Sequence, residues 1–229
     1  MARSVLVAGG TGALGGAVLT ELLDSGYPVT ATWVVDRERD RVEQELGTPE
    51  GLTLVQADLM DPGAVKAAVE GVADLGAVVN LVGGFAAGGR VHETDIDEFD
   101  RMLELNLRPG YLLAHFAMPR LIEAGGGAYV GVSARPALRP FSGAAGYITG
   151  KAGVLAFVQA LDAEYRDDGI RANAILPSVI DTPANRRSQP DADHSKWVAP
   201  AEIAKVVRFL VSEDSAPTSG AAVPVYGRA

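Results

Sequence analysis

Residues 4–16 have the sequence SVLVAGGTGALGG, in which an apolar run leads directly into a glycine-rich turn. Ser4–Ala8 has the length and composition of a buried strand, and Ala13–Ser25 has those of a helix. Glycines let the backbone turn sharply and approach a bound group closely. The N-terminus of the helix that follows attracts negative charge. The segment therefore predicts a strand, a turn and a helix that together hold a pyrophosphate.

The rest of the chain alternates between short apolar runs and longer helical stretches. Further strands are predicted at Pro28–Val35, Leu52–Ala57, Ala77–Val82, Ala128–Ser133, Ile170–Leu176 and Ala221–Val225. Helices are predicted at Arg37–Leu46, from about Asp61, and at Ile96–Ala124, Ala144–Arg166 and Pro200–Val211. This alternation predicts βαβ crossovers and a parallel sheet covered on both faces. We therefore expect an α/β protein, a single-domain doubly wound Rossmann fold with a seven-stranded parallel sheet over residues 1–229.

The composition argues against several functional classes. The formal net charge is −9, whereas a nucleic-acid-binding protein needs a basic face. The chain contains no cysteine, and His92, His115 and His194 lack the spacing of metal ligands. No apolar run approaches the roughly 20 residues that span a bilayer. We expect a cytoplasmic protein with no metal, membrane or nucleic-acid partner.

Polar and small residues follow several of the predicted strands, where a doubly wound sheet binds its ligands. Gly9, Gly12 and Gly15 are spaced three residues apart in the first turn. Asp58-Leu59 follows the third strand, where a carboxylate can accept hydrogen bonds from an adenine amino group. Residues 80–84, NLVGG, place small residues after the fourth strand. These strand ends predict a dinucleotide site, although each alone is also compatible with an ordinary connection.

A second group of residues has the chemistry of proton transfer. Tyr147 and Lys151 are four residues apart, so a helix places them on one face. Ser133 ends the preceding strand, and Asn106 lies midway along the long helix. Taken singly, each has a structural alternative: a serine at a strand end, an asparagine at a helix kink near Pro109, and an interfacial tyrosine.

Together these motifs resemble the short-chain dehydrogenase/reductase family over essentially the whole chain, including residues 177–182, PSVIDT. The resemblance implies hydride transfer between a nicotinamide cofactor and a small carbonyl or alcohol. It assigns catalysis to Asn106, Ser133, Tyr147 and Lys151, with Tyr147 as general acid, Lys151 stabilising its phenolate, Ser133 on the substrate oxygen and Asn106 on a relay water. The cofactor contacts that it implies are Gly9, Thr11, Gly12, Ala13, Leu14, Gly15, Trp33, Arg37, Asp58, Leu59, Asn80, Val82, Gly83, Tyr147, Lys151, Pro177, Ser178, Ile180 and Thr182.

The sequence departs from the family pattern at three points. Ser133 and Tyr147 are one residue further apart than is usual, and Ser178 replaces a frequent glycine. Trp33 occupies the position of the acidic residue that holds the ribose of NAD, and Arg37 and Arg39 follow it. Losing that carboxylate favours NADP over NAD, because a 2′-phosphate is no longer repelled and an arginine can pair with it. The alternative is that this charged run is simply a solvated helix start.

A closer resemblance is to dihydropteridine reductases and their bacterial relatives, on the glycine turn, on residues 83–88, GGFAAG, and on residues 181–188, DTPANRRS. The resemblance and the polar composition predict a substrate lid around residues 181–200, with Phe85, Ser133, Tyr147 and Asn185 as the substrate contacts. Phe85 replaces an expected tryptophan, and Ser133 is more typical of carbonyl reductases. A carbonyl or alcohol substrate is therefore favoured, with reduction of a quinonoid dihydropterin as the alternative.

Two further expectations concern turnover and assembly. A cofactor-sensing regulator without turnover is an alternative of another class, but it predicts loss of Tyr147 or Lys151, and both are present. The helix that carries Tyr147 has apolar residues beyond one narrow stripe, among them Phe157 and Leu161. These residues are either core or, by family resemblance, part of a helix-pair interface. We expect a homodimer or homotetramer acting on a small-molecule substrate.

Overall fold

The computed structural model describes residues 2–47 and 49–228. Seven strands are present: β1 Ser4–Ala8, β2 Val29–Trp33, β3 Leu52–Gln56, β4 Leu75–Asn80, β5 Gly127–Val132, β6 Ile170–Pro177 and β7 Ala222–Val225. Seven α-helices lie between them: α1 Gly15–Asp24, α2 Asp36–Leu46, α3 Pro62–Glu70, α4 Ile96–Glu123, α5 Ala145–Tyr165, α6 Pro183–Ser188 and α7 Pro200–Val211. Short 3₁₀ turns connect several of these elements.

All seven strands pair in parallel, in the order β3-β2-β1-β4-β5-β6-β7. The strand order reverses between β1 and β4, which is the switch point where such sheets bind ligands. Because every strand is parallel, the carboxyl ends of all seven lie at one edge. The predicted doubly wound fold with a seven-stranded parallel sheet is confirmed.

The sheet separates two hydrophobic cores. Alternate residues of β1 face opposite sides, so Leu6 and Ala8 join one core while Val5 and Val7 join the other. The first core packs against α3, α4 and α5, and the second packs against α1, α2 and α7. This arrangement explains why the strands are continuous apolar runs rather than alternating ones.

Some element boundaries differ from the prediction. The fourth strand lies two residues earlier than the predicted Ala77–Val82, because Ala8 pairs with Asn80 at the last position of the ladder. The chain then leaves the sheet, and the amide of Val82 donates to the side chain of Asn80 (3.1 Å). Helix α6 was not predicted. It forms because the Thr182 hydroxyl accepts from the amide of Asn185 (3.2 Å) at the helix start.

Among residues 2–47 and 49–228, no helix combines the length and apolar character needed to cross a membrane. The same residues contain no group of three or more acidic or histidine side chains arranged to hold a metal ion.

Candidate active site

The glycine turn after β1 is packed too tightly for larger residues. Gly9 has a φ of +71°, in the left-handed region, and its amide donates to the hydroxyl of Thr32 on β2 (3.0 Å). A Cβ on Gly15 would lie 2.0 Å from the carbonyl oxygen of Gly10, and a Cβ on Gly10 would lie 2.7 Å from the Cβ of Ala31. The turn therefore brings the start of α1 directly against β1, as a pyrophosphate site requires.

Arg41 is a residue at this turn that the sequence analysis missed. One guanidinium nitrogen, Nη2, donates to the carbonyl oxygens of Thr11 (2.6 Å) and Gly12 (3.2 Å), while Nε is buried without a partner in the described part of the chain. The arginine thus places a fixed positive charge behind the turn. No sequence signal indicated this contact, because Arg41 lies 30 residues away on α2.

The end of β2 carries an aromatic side chain with an arginine over it. The guanidinium carbon of Arg39 lies 4.5 Å from the ring centre of Trp33. Arg39 also pairs with Asp36 (3.1 Å) and Asp40 (2.6 Å), so two carboxylates already balance its charge. Arg37 is exposed on the first turn of α2. Of the two arginines that were candidates to bind a 2′-phosphate, Arg39 is therefore already paired with carboxylates.

The ends of β3 and β4 supply the next part of the same edge. Asp58 is exposed and its carboxylate accepts from the amide of Met60 (2.9 Å), while Leu59 is buried beside it. Asn80 is buried and turns the backbone at Val82. These side chains fix the shape of the loops after β3 and β4, and the second of these loops borders the switch point.

Asn106 ties the loop after β4 to helix α4. Its Oδ1 accepts from the amide of Gly84 (3.2 Å), and its Nδ2 donates to the carbonyl oxygens of Gly84 (3.2 Å) and Met102 (2.8 Å). The side chain is completely buried. Because the amide both accepts and donates, a carboxylate of the same shape does not reproduce these contacts.

Lys151 lies beneath the same loop. Its Nζ donates to the carbonyl oxygen of Val132 (2.9 Å) at the end of β5. A Cβ on Gly83 would lie 2.7 Å from both this Nζ and the Oδ1 of Asn106, so the loop contacts both side chains closely. Burial lowers the pKa of Lys151 to about 8, because the charged ammonium is disfavoured away from water. The amine is still mainly charged at neutral pH.

Tyr147 lies in the first turn of α5, the helix that carries Lys151. Its ring lies edge-on to Phe85, with ring centres 4.9 Å apart and planes at 79°. Burial raises the pKa of Tyr147 to about 12, because a phenolate there loses its hydration. The residue is therefore a neutral proton donor over the physiological range. Phe85 is itself exposed, which leaves an aromatic side chain at the mouth of the site.

Ser133 is buried and faces helix α5. Its hydroxyl donates to the carbonyl oxygen of Lys151 (2.6 Å). In this rotamer the oxygen can accept a hydrogen bond from an alcohol, whereas donation to a carbonyl requires the hydroxyl hydrogen to rotate. This hydrogen bond gives Ser133 a structural role at the end of β5, which is the alternative to catalysis that the sequence left open.

The segment after β6 folds back on itself. The Ser178 hydroxyl donates to the carbonyl oxygen of Tyr226 (2.7 Å), and the side-chain amide of Asn185 donates to that of Ile180 (2.8 Å). Thr182 is buried and caps α6. The side chain of Asn185 is thus directed to the backbone of its own segment rather than outwards, and the Thr182 hydroxyl also has a partner in this segment, whereas the Ser178 hydroxyl binds the chain after β7.

The structure brings the predicted residues to one edge of the sheet. Many of the residues that were predicted to contact the cofactor follow the carboxyl ends of four strands. They are Gly9, Thr11, Gly12, Ala13, Leu14 and Gly15 after β1, Asp58 and Leu59 after β3, Val82 and Gly83 after β4, and Ser178, Ile180 and Thr182 after β6. The nicotinamide dinucleotide expected from the sequence fits this edge on two observations. The glycine turn has no room for a Cβ at Gly10 or Gly15, and the buried amine of Lys151 has only a carbonyl oxygen as its hydrogen-bond partner in the described residues.

Comparisons with known proteins agree with this arrangement. The family model "short chain dehydrogenase" matches residues 3–193. The chain is 29% identical to 2-(R)-hydroxypropyl-CoM dehydrogenase of Xanthobacter autotrophicus over 99% of this chain and 98% of that protein. It is 30% identical to acetoacetyl-CoA reductase of an Acinetobacter species, covering 98% and 96% of the two chains.

Solved structures share the fold over nearly the full length. The structure titled "ElxO with NADP Bound" superposes with a TM-score of 0.91 at 24% identity and covers 99% of this chain and 98% of that one. Levodione reductase gives a TM-score of 0.89 at 26% identity, with coverage of 98% and 96%. The chain belongs to the short-chain dehydrogenase family and is an NAD(P)-dependent oxidoreductase.

Proposed function

We propose that this protein interconverts a small carbonyl compound and its alcohol, with Tyr147 as the proton donor or acceptor and NADP as the preferred cofactor. The observation that carries the proposal is the buried ammonium of Lys151 one helical turn from Tyr147, beneath the loop that contains Gly83. A buried cation without a carboxylate partner is costly to a fold, so its presence beside a proton donor favours a catalytic role.

The side chains of the site account for the proton transfer. The nicotinamide supplies or accepts the hydride when the cofactor is bound. Tyr147 donates its phenolic proton to the carbonyl oxygen as that oxygen gains negative charge, or its phenolate accepts the proton of an alcohol. A pKa of about 12 is poorly matched to neutral pH, and the Lys151 ammonium stabilises the phenolate electrostatically. Ser133 orients the substrate oxygen, and Asn106 holds the loop and a water for proton relay.

Removal of the phenolic hydroxyl tests this proposal. We expect wild-type protein to oxidise NADPH with a panel of aldehydes, ketones and a quinonoid dihydropterin. Tyr147→Phe should lower turnover by a factor of about 10² to 10⁴ while its NADPH affinity, measured by fluorescence titration, stays within threefold. Tyr27→Phe, a matched change just before β2 and therefore at the opposite edge of the sheet, serves as the control. Full turnover by Tyr147→Phe contradicts the assignment, and binding of NADPH without any turnover by wild type favours the sensing regulator.

The preference for NADP rests on charges near the end of β2. Trp33 offers no carboxylate to repel a 2′-phosphate, Arg37 is exposed, and Arg41 places a cation behind the glycine turn. We expect Trp33→Asp to weaken NADPH binding at least tenfold while NADH binding changes little or improves. Trp33→Phe, which adds no charge, is the control. Equal changes in the two dissociation constants would contradict the proposed basis of selectivity.

We also propose that residues 181–200 cover the substrate. The base of this segment is closed, because Ile180 and Val198 form a bridge and the amide of Asp181 donates to the carbonyl oxygen of Val198 (2.8 Å). A segment whose base is fixed and which follows the carboxyl end of a strand is typical of active-site covers. Protection of these amides from hydrogen exchange should increase when NADP⁺ and an alcohol bind together. Unchanged exchange in that complex would argue against a covering role.

The proposed homodimer or homotetramer uses the outer face of α4. Tyr111 is 58% exposed there and stacks on His115, with ring centres 6.1 Å apart and planes at 18°. Tyr111 also lies 6.1 Å from the ring of Phe157 on α5. An aromatic cluster that bridges two exposed helix faces is typical of subunit interfaces. We expect sedimentation to show a dimer or larger species, and a monomer at all concentrations would exclude it.

A further inference from the structure

A cavity of about 270 Å³ lies beside Tyr147. It is formed by the loop after β4, the first turns of α4 and the start of α5, and its walls include Ala86, Phe99 and Met102. Met102 is fully buried at the base, and Phe99 is 37% exposed at the side. The proposed proton donor, Tyr147, therefore forms part of the wall of this cavity.

The inner wall of this cavity is apolar. Ala86, Phe99 and Met102 present methyl, aromatic and thioether groups, which favour an apolar occupant. Asp95, the residue that caps the start of α4, and Glu98, in its first turn, lie at the rim. Two carboxylates at the entrance disfavour an anionic group there. Asp95 is also engaged with the helix start, because it accepts from the amide of Asp97 (3.3 Å).

We propose that this cavity binds the apolar substituent of the substrate, which is an uncharged ketone or secondary alcohol with a ring or branched chain of about six carbon atoms. The inference rests on the proposed function, since it assumes that the reacting oxygen meets Tyr147. A carboxylate or phosphate on the same substituent is disfavoured by the negative charges of Asp95 and Glu98. A volume of about 270 Å³ accommodates a six-membered carbocycle, so cyclohexanone and cyclohexanol are suitable probes.

Substitutions that change the size of the cavity test the proposal. The measured quantity is the kcat/KM ratio of cyclohexanone to propanone, each assayed with NADPH. Ala86→Leu should lower this ratio at least tenfold because the added carbon atoms occupy the cavity. Ala87→Leu is the matched control, since Ala87 is the next residue, is exposed and is not part of the wall. Phe99→Ala should raise the ratio of 4-tert-butylcyclohexanone to cyclohexanone at least fivefold.

The rim charges are tested separately. Wild type should prefer cyclohexanone over 4-oxocyclohexanecarboxylate by at least tenfold in kcat/KM, and Glu98→Gln should narrow that preference at least threefold. Unchanged ratios in Ala86→Leu and Phe99→Ala would overturn the proposal. A change of sedimentation coefficient in these two variants would also overturn it, because the cavity would then be filled by a second copy of the chain.

Binding without turnover distinguishes failure of this inference from failure of the proposed function. Saturation-transfer NMR should detect cyclohexanol bound to the complex of the protein with NADP⁺, and Ala86→Leu should abolish the signal. If wild type reduces propanone but binds no cyclohexanol, the cavity assignment is wrong and the oxidoreductase proposal stands. If cyclohexanol binds in an Ala86-dependent way and no carbonyl is reduced, the cavity assignment stands and the proposed reaction is wrong.

Discussion

Replacing Lys151 by methionine should make the protein more stable at neutral pH and inactive at every pH. The amine of Lys151 is buried, with the whole residue 6% exposed, and among residues 2–47 and 49–228 its one hydrogen-bond partner is the carbonyl oxygen of Val132. Within the described residues no carboxylate pairs with it. Burial lowers the pKa of this amine from 10.5 to about 8. The folded protein therefore holds a charge that is better hydrated in the unfolded chain.

The size of the effect follows from the two pKa values. A lowering from 10.5 to about 8 corresponds to about 3 kcal/mol of destabilisation at pH 7, where the amine is charged in both states. Methionine fills a similar volume without charge but loses the hydrogen bond to Val132, at a cost of about 1 kcal/mol. We expect a net gain of about 2 kcal/mol in the free energy of unfolding at pH 7.

The gain should depend on pH in a defined direction. Between pH 8 and 10.5 the folded amine is neutral while the unfolded amine is still charged, so the unfolded state binds more protons and wild-type stability rises with pH. The advantage of Lys151→Met should therefore disappear by about pH 10. Urea unfolding of the cofactor-free proteins at pH 7 and pH 10 measures both points. A variant that is less stable at pH 7, or a difference independent of pH, would refute the reasoning.

The control for this experiment is a lysine that is exposed. Lys66 lies on α3, with its side chain 56% exposed, and its amine is 3.8 Å from the carboxylate of Glu70. An exposed pair of this kind contributes little to stability. Lys66→Met should change the free energy of unfolding by less than about 0.5 kcal/mol at either pH and should leave NADPH oxidation unchanged.

Three further substitutions test the packing and hydrogen bonds of the molecule. Gly83→Ala places a Cβ 2.7 Å from the Oδ1 of Asn106 and the Nζ of Lys151, so kcat/KM should fall at least tenfold, and near wild-type kinetics would argue against the close contact. Ser133→Ala removes a buried hydrogen bond and should lower kcat by tenfold or more. It should also lower the free energy of unfolding, measured by urea titration, by about 1 kcal/mol. A loss of stability alone would assign Ser133 a purely structural role. Asp162→Asn should destabilise by about 1–3 kcal/mol at pH 7, because an arginine hydrogen bond holds the pKa of this carboxyl below its ordinary 3.8. The stabilisation by the Asp162 carboxylate is fully present above pH 3.8 and is lost as the pH falls through the pKa of the folded protein. The difference in the free energy of unfolding between wild type and Asp162→Asn should therefore narrow in acid, and a difference independent of pH would contradict this prediction.

The architecture was predictable because each strand is short, apolar and followed by a helix. That pattern has few solutions other than a parallel sheet covered on both faces, and the structure has all seven expected strands. Strand ends were less certain, as the two-residue shift of β4 shows. The apolar run continues through residues 81 and 82, so composition could not indicate where the ladder stops. The stop is set by pairing with the last residue of β1.

The candidate site was predictable in part for the same reason. Residues that follow parallel strands meet at one edge, so the glycine turn, Asn80 and Ser133 could be placed together from spacing alone. The contact of Arg41 with the glycine turn could not be predicted, because it depends on how α2 packs across the turn. Equally, the inward hydrogen bond of Ser133 depends on a rotamer, which no pattern of residues specifies.

The two cores on opposite faces of the sheet have a consequence for protein engineering. The sheet acts as a partition, since side chains such as Val5 and Leu6 project to different sides and do not share a cavity. Substitutions in the core beside α1, α2 and α7 can affect side chains in the core beside α3, α4 and α5 only by moving the backbone of the sheet. Changes that raise thermal tolerance on the first side should therefore combine additively with changes that alter selectivity on the second, where Asn106, Tyr147 and Lys151 lie. Each half can be screened in its own library.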